Sequence, residues 1–270
     1  MVRDDKYFLG YRRAEQERLQ AQARQLAHES EWLFNQLAIG TGDRVVDIGC
    51  GPQGCLDLLA ARVGSTGTVV GVERSADAVA LAQAMVSENG LGNVEVIEGD
   101  ARATGLPRAT FDVATARLVL VNVPQPEEIV REAVALVKPG GRVAFHEADY
   151  VAHVCDPQLD EWTRAVELLD AYSRANAIDL YIGRKTPRLL RAAGLVDVQV
   201  NPIVHIYPPG YQRRSILADF VENLRDRLVE GGFVEHDELT SITQKITDHV
   251  ADPNTTVVSH LFIQAWGHKP

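Results

Sequence analysis

The chain is poor in several things, and each shortage excludes something. Its three cysteines, Cys50, Cys55 and Cys155, have no metal-ligand spacing and form no even set, so neither a disulfide framework nor a structural zinc site organises it. That usage suits a reducing cytoplasm. No stretch reaches the roughly 18 apolar residues that a spanning helix needs, and Met1-Val2-Arg3-Asp4-Asp5-Lys6 contains no apolar leader, so a soluble, cytoplasmic protein without membrane contact is expected. Positive charge is also short: 27 Lys and Arg face 37 Asp and Glu, a net charge of −10 and a pI near 5.3. Nucleic-acid binding needs clustered cations that displace counterions, so no nucleic-acid partner is expected. The basic pairs Arg12-Arg13, Arg184-Lys185 and Arg213-Arg214 are short and read as solvated faces or loops. Internal repeats and low-complexity linkers are absent.

What is present is ordinary globular composition, 46% hydrophobic and 24% charged over 270 residues, enough for one large domain with appendages. Residues 11–39 carry a charged first half and then Leu19, Ala23, Leu26, Trp32, Leu33 and Leu37 near helical spacing, ended by Gly40 and Gly42. Short apolar runs follow near 44–48, 68–72, 94–97, 111–116, 142–148, 196–207 and 256–266, separated at first by helical stretches. Continuous apolar strands alternating with helices predict an α/β fold: a doubly wound, mostly parallel seven-stranded sheet with helices on both faces. The last two runs are longer and bracket a helical pair over 211–250 broken at Gly231-Gly232, which predicts an antiparallel edge and a helical cap. The division expected is an N-terminal helical lid over 1–40, a nucleoside-binding core over 41–150, and cap helices with antiparallel strands over 151–270.

The most informative segment is Arg44-Val45-Val46-Asp47-Ile48-Gly49-Cys50-Gly51-Pro52-Gln53-Gly54 with Val69-Val70-Gly71-Val72-Glu73 after it. Strand, glycine turn, helix and second strand ending in an acid make a nucleoside site: the glycines let the ligand approach, and Glu73 meets the ribose hydroxyls. NAD or an adenosyl cofactor would satisfy this much. Asp47, two residues before the first glycine, would repel a pyrophosphate and welcome the cationic amino end of S-adenosylmethionine. Gly99-Asp100-Ala101 ends the third strand with an acceptor for an adenine amino group and a backbone donor for the ring. Leu136-Val137-Lys138-Pro139-Gly140-Gly141-Arg142 turns from a helix into a fifth strand.

With these segments in order, the chain resembles the class I S-adenosylmethionine-dependent methyltransferases, small-molecule type, including ubiquinone/menaquinone-biosynthesis and arsenite enzymes. The resemblance covers residues 5–266 and includes Phe111-Asp112-Val113 through Val123-Pro124 as the fourth strand and its loop. It implies S-adenosylmethionine as cofactor and a donor site drawn from Tyr7, Gln22, Asp47, Gly49, Cys50, Gly51, Glu73, Arg74, Asp100, Ala101 and Arg117. Tyr7-Phe8-Leu9-Gly10 with Gln22 looks like the lid helix of bacterial members. Cys50 reads as a turn filler rather than a nucleophile.

Methyl transfer asks for alignment, exclusion of water and, for some acceptors, a base. His146, near the end of the fifth strand, is the candidate base, or else a hydrogen-bonded core residue. His153 and His205 are weaker candidates, and Trp162, Tyr172, Tyr181 and Phe220 are candidate pocket aromatics. No metal is expected, because only Asp149 and Glu147 lie near the required strand ends. The expected partner is a small apolar or aromatic acceptor, a secondary metabolite by the size of the cap. A homo-oligomer is compatible with the sequence. An NAD-dependent oxidoreductase, and a donor-binding protein that assists cyclisation without methylating, are the alternatives.

Overall fold

The computed structural model describes the backbone of residues 13–270 and the side chains from Arg18 onward. In chain order the elements are α1 (Arg13–Gln25), α2 (Ala27–Gln36), β1 (Arg44–Ile48), α3 (Leu56–Val63), β2 (Thr68–Glu73), α4 (Ala76–Glu88), β3 (Val94–Glu98) and β4 (Phe111–Arg117). Then come α5 (Pro126–Leu136), β5 (Val137–Asp149), β6 (Val154–Asp156), α6 (Asp160–Ala175), α7 (Thr186–Ala192), β7 (Val196–Ile203) and β8 (Ile206–Tyr207). The chain closes with α8 (Ile216–Asn223), α9 (Arg225–Glu230), α10 (His236–Ala251), β9 (Thr256–Val258) and β10 (Leu261–His268). Among the described residues no helix is long and apolar enough to cross a membrane.

The main sheet has seven strands in the order β3-β2-β1-β4-β5-β10-β7. β3, β2, β1, β4 and β5 are parallel, and β10 runs antiparallel to both its neighbours. Residues alternate between two apolar layers. Val46, Ile48, Val70, Val72, Ala114 and Phe145 face the layer shared with α5 to α8 and α10. Val45, Val69, Val113 and Ala144 face the layer containing Leu33, Phe34 and Leu37 of α2 and Leu56, Leu59 and Val63 of α3. Covering both faces is why the central strands place apolar residues on both sides instead of alternating them with polar ones, and each fully buried Leu, Val or Phe contributes about 1.5–3 kcal/mol. Local signals agree with these elements. Ser75 caps α4 by accepting the Ala78 N–H at 3.3 Å, and α5 opens on Pro126 with Glu127 and Glu128 in its first turn, next to the positive end of the helix dipole.

Three boundaries differ from the sequence reading. The N-terminal helical stretch is two helices, broken at Leu26. The last strand is antiparallel as expected: β10 is inserted between β5 and β7, so the antiparallel edge is the β10–β7 pair with β7 outermost. The two long C-terminal runs are each cut in two, because Ser259 donates its N–H to His205 O at 2.8 Å while its hydroxyl accepts the His205 N–H at 2.9 Å. The pieces released, β8 and β9, join β6 in a separate three-stranded sheet. The fifth strand begins at Val137 because the Pro-Gly-Gly segment is itself paired, Gly140 N–H to Lys269 O at 2.8 Å and Lys269 N–H to Gly141 O at 2.9 Å.

The strand order reverses between β1 and β4, and the connections leaving these neighbours go to opposite sides. Open α/β sheets form a crevice at that point, outside the carboxyl ends of the strands.

Candidate functional site

A cleft opens at that crevice, enclosing about 1480 Å³ with its open mouth included. The ends of β1, β2, β3 and β4 supply Asp47, Glu73, Asp100 and Arg117 to one part of its wall. Tyr150, Phe220 and His260 border it as well, and Arg18, Leu19 and Gln22 of α1 complete the boundary.

The glycine turn begins where β1 ends. Gly49 N–H donates to Val72 O at 2.8 Å, which locks the turn onto β2. Asp47 is only 2% exposed and accepts the Cys55 N–H at 3.1 Å, so its carboxylate ties the strand to the start of α3. Burial pushes its pKa up to about 6, against the Cys55 N–H and the nearby Arg117 cation, which favour the ionised form. Arg117 is not a surface charge. Its guanidinium donates to Ser30 Oγ at 2.8 Å and to Gly54 O at 2.9 Å, bracing β4 against α2 and the glycine turn. Cys50 borders the cleft, while its sulfur would lie 2.9 Å from a Cβ on Gly71 and burial raises its thiol well above the usual range. That thiol is protonated at neutral pH and packs as a small apolar group.

Glu73 is held by two backbone donors, Gly51 N–H to Oε2 at 3.0 Å and Ser75 N–H to Oε1 at 2.8 Å. A carboxylate has about four lone-pair sites, so acceptor capacity remains on each oxygen. Arg74 and Ala101 border the cleft. Asp100 also borders it and is forked onto Arg102, with contacts of 3.1 and 2.9 Å, which hold its carboxyl below the usual range. Gln22 accepts from Arg18 at 2.8 Å on the α1 side. Tyr7 lies outside the described residues, so the lid aromatic has no structural placement.

The candidate base sits elsewhere. His146 is 1% exposed, is not among the residues bordering the cleft, and faces Gln264, whose Nε2 lies 3.5 Å from its Nδ1. Burial, with Arg117 nearby, lowers its pKa to about 3. Its neighbour Glu147 points to the other face and accepts the N–H groups of Val119, Leu120 and Val121 at 3.0, 2.9 and 3.2 Å, fixing the loop after β4. Burial raises that carboxyl to about 8 against those three donors. Asp149 is fully buried and paired with Arg184 at 2.5 and 2.6 Å. Among the described residues no three His, Cys, Asp or Glu side chains converge as metal ligands.

Arg213 and Arg214 correct the reading of that basic pair as solvated. Each is 3% exposed, and Arg214 donates to the carbonyls of Tyr207, Val250, Asp252 and Thr255. Of the aromatics considered, Phe220 borders the cleft, whereas Trp162 and Tyr172 are buried in the layer around α6. Sequence reasoning missed Tyr150, His260 and Arg213 as neighbours. The available signal was a polar Ser259-His260 inside the apolar run Val257 to Phe262, and a basic pair beginning a helical stretch that proved to be buried.

A family profile described as a methyltransferase domain matches residues 39–194, more than half of the chain. The chain belongs to the class I S-adenosylmethionine-dependent methyltransferases. Aklanonic acid methyltransferase DauC of Streptomyces sp. (strain C5) is 33% identical over 105 residues, 39% of this chain and 48% of that protein. Demethylmenaquinone methyltransferase of Lactococcus lactis subsp. lactis is 31% identical over 128 residues, 47% and 48% of the two chains. The match thus spans about half the length of these relatives. Among solved structures, the Haemonchus contortus phosphoethanolamine N-methyltransferase 2 with S-adenosylhomocysteine gives a TM-score of 0.55 at 20% identity, covering 90% of this chain and 57% of that one, a likeness of fold. The matched region holds all of β1 to β5 and the glycine turn.

Proposed function

We propose that this methyltransferase transfers a methyl group from S-adenosylmethionine to a small apolar or aromatic acceptor, a secondary metabolite. The observation that carries the proposal is one continuous cleft running from Asp47, Glu73 and Asp100 to Tyr150, Phe220 and His260. The residues at the first end suit the donor. The Asp47 carboxylate meets the ammonium of the amino-acid part, Glu73 the two ribose hydroxyls, and Asp100 with the Ala101 N–H the adenine edge. The donor's amino-acid part lies along the backbone of the turn at Gly49, Cys50 and Gly51, and Arg117 holds that turn in place. A Cβ on Gly51 would meet no protein atom within 4 Å, consistent with a surface left bare for a ligand. Gln22, Arg74 and, from the resemblance, Tyr7 complete the donor side.

When bound, S-adenosylmethionine supplies a methyl group already activated on a sulfonium. The chain's own residues align an acceptor and exclude water. Leu118, Val119, Val121 and Val123 give the cleft an apolar wall after β4. His260 borders the cleft and is neutral, because burial with His153 and Arg213 nearby lowers its pKa well below the usual range. The names of the two relatives refer to aklanonic acid and to demethylmenaquinone, which supports a small-molecule acceptor. Three free cysteines support placing the protein in the cytoplasm. The proposed division of labour is a lid over 1–40, the donor core over 41–150, and an acceptor cap over 151–270.

Incubation with methyl-tritiated S-adenosylmethionine and a panel of phenols, quinols and aromatic acids tests the proposal. Label in an extractable product, dependent on the acceptor, is the expected result. Donor and acceptor binding without label transfer to any panel member would replace it with a non-methylating role.

A further inference from the structure

Behind the acceptor end of the cleft lies a group of buried polar side chains that the donor does not use. Phe262 is fully buried, and its ring is at the centre of the group: His260 is 4.4 Å away between centroids, His146 5.3 Å, His205 5.9 Å, and the Arg213 guanidinium 5.8 Å. His153 packs edge-on against His260 at 5.7 Å and against Trp162 at 4.9 Å. Several of these groups have atoms with no hydrogen-bond partner among the described residues. They are His260 Nδ1, both ring nitrogens of His153, His146 Nε2 and Arg213 Nη2, on side chains 1–4% exposed. Buried polar atoms are almost always satisfied, so three unsatisfied ones around the Phe262 ring, with the two ring nitrogens of His153 next to His260, mark a place built to be filled.

The chemistry of the filler follows from the charges. Arg213 makes no ion pair among the described residues. Its Nε donates to Tyr207 Oη at 3.0 Å, its Nη1 to Gln25 Oε1 at 3.4 Å, and the remaining nitrogen is unpartnered. Two acids lie on this side and neither pairs with Arg213: Glu29 contacts His205 at 3.1 Å through Oε1 and leaves its buried Oε2 without a partner, and Asp219, which shares a recess with Arg213, takes the Ser215 hydroxyl at 3.3 Å. A buried guanidinium without a counter-ion attracts an anion strongly. The imidazoles around it are neutral, since burial with Arg213 nearby lowers His153 to about 3, and burial with His153 and Arg213 nearby lowers His260 well below the usual range, so each offers one N–H donor. They form no metal site among the described residues. His260 connects this group to the cleft, because it borders the cleft and stacks on Tyr150 at 5.1 Å and 11°. Arg213 faces a small recess that shares Arg18 and Gln22 with the cleft.

We propose that His260, His153 and Arg213 form an anion-binding subsite that anchors an ionised oxygen, a carboxylate or a phenolate, on a flat conjugated acceptor lying against Tyr150 and Phe220. The proposal deepens the methyltransferase reading and rests on it for the acceptor's identity as substrate.

The test uses the full chain saturated with S-adenosylhomocysteine and two matched probes, 2-naphthoate and the neutral 2-naphthamide, followed by isothermal titration at low salt. Naphthoate is expected to bind at least about tenfold more tightly than the amide, without displacing S-adenosylhomocysteine. Arg213→Met, which keeps an apolar stem, is expected to bring naphthoate down to the amide's affinity. Equal binding of acid and amide, binding of neither, or an acid preference that survives Arg213→Met would overturn the subsite. Should Arg213→Met not fold, nitrogen-15 imidazole spectra of the unaltered protein decide: naphthoate and not naphthamide must shift the His260 and His153 ring nitrogens, and unshifted signals refute it. Titration with S-adenosylhomocysteine alone separates the two claims. Its failure removes the donor reading, while the acid-to-amide ratio, measured also without it, scores the subsite.

Discussion

Two glycines of the same turn should fail in opposite ways when given a methyl group. Gly54 has φ +56°, and a Cβ there would lie 2.5 Å from Cys50 O and 2.7 Å from Asp47 Oδ2. Neither neighbour can swing away: one is backbone, and the other is the carboxylate that accepts the Cys55 N–H. Left-handed backbone costs an alanine about 1–2 kcal/mol, and relieving the overlap adds typically 1–3 kcal/mol, so Gly54→Ala should destabilise the chain by roughly 2–5 kcal/mol. Moving Asp47 should also lower donor affinity in whatever fraction folds. Gly51 has φ +60°, yet a Cβ there meets nothing within 4 Å. Its cost is the backbone term alone, offset by up to about 1 kcal/mol because alanine stiffens the unfolded chain. Gly51→Ala should therefore melt within a few degrees of the parent but bind S-adenosylhomocysteine at least about tenfold more weakly, because the methyl occupies ligand space. Urea melts and isothermal titration of both variants check this. The reasoning fails if Gly51→Ala binds normally, or if Gly54→Ala is as stable as Gly51→Ala.

Other perturbations test other parts of the site. Glu73→Ala removes ribose contacts to a charged acceptor, about 1.5–3 kcal/mol, so S-adenosylhomocysteine affinity should drop roughly 10- to 150-fold in a folded protein; unchanged affinity means the ribose lies elsewhere. Burial raises Asp47 to about 6, so the free protein protonates it below that pH, whereas the ammonium of the donor requires the carboxylate. Affinity should accordingly fall about tenfold from pH 7 to pH 5, and Asp47→Asn should bind weakly with a flat profile; a flat profile in the parent contradicts the assignment. His146→Ala should lower thermal stability while turnover per folded molecule stays within a few-fold, since His146 does not border the cleft. A hundredfold loss of turnover with donor affinity kept would restore it as a base.

The part of the cleft that holds Asp47 and Glu73 was legible because its residues lie close together in sequence. Asp47, the glycines and Glu73 are within 27 residues of each other, and strand periodicity alone puts the turn and the acid at adjacent strand ends. The sheet and its parallel order were legible for the same reason, in continuous apolar runs alternating with helices. The acceptor end was not, because its parts meet only through long-range pairing. His260 reaches the cleft because β10 is inserted beside β5, with Leu261 opposite Asp149, a register no local pattern encodes. Arg213-Arg214 resembles any exposed basic pair until Arg214 is seen donating to four carbonyls on elements 7 to 41 residues away. His146 misled for a related reason: its position at the end of β5 was right, but the pleat turns it towards α2 and Gln264 rather than to the cleft.

The most direct test of the central claim is isothermal titration of the purified chain with S-adenosylhomocysteine, with NAD in parallel. The account predicts micromolar, one-to-one binding of the first and no heat from the second. Binding of NAD without S-adenosylhomocysteine would contradict it and make the glycine turn and Glu73 the site of a dinucleotide.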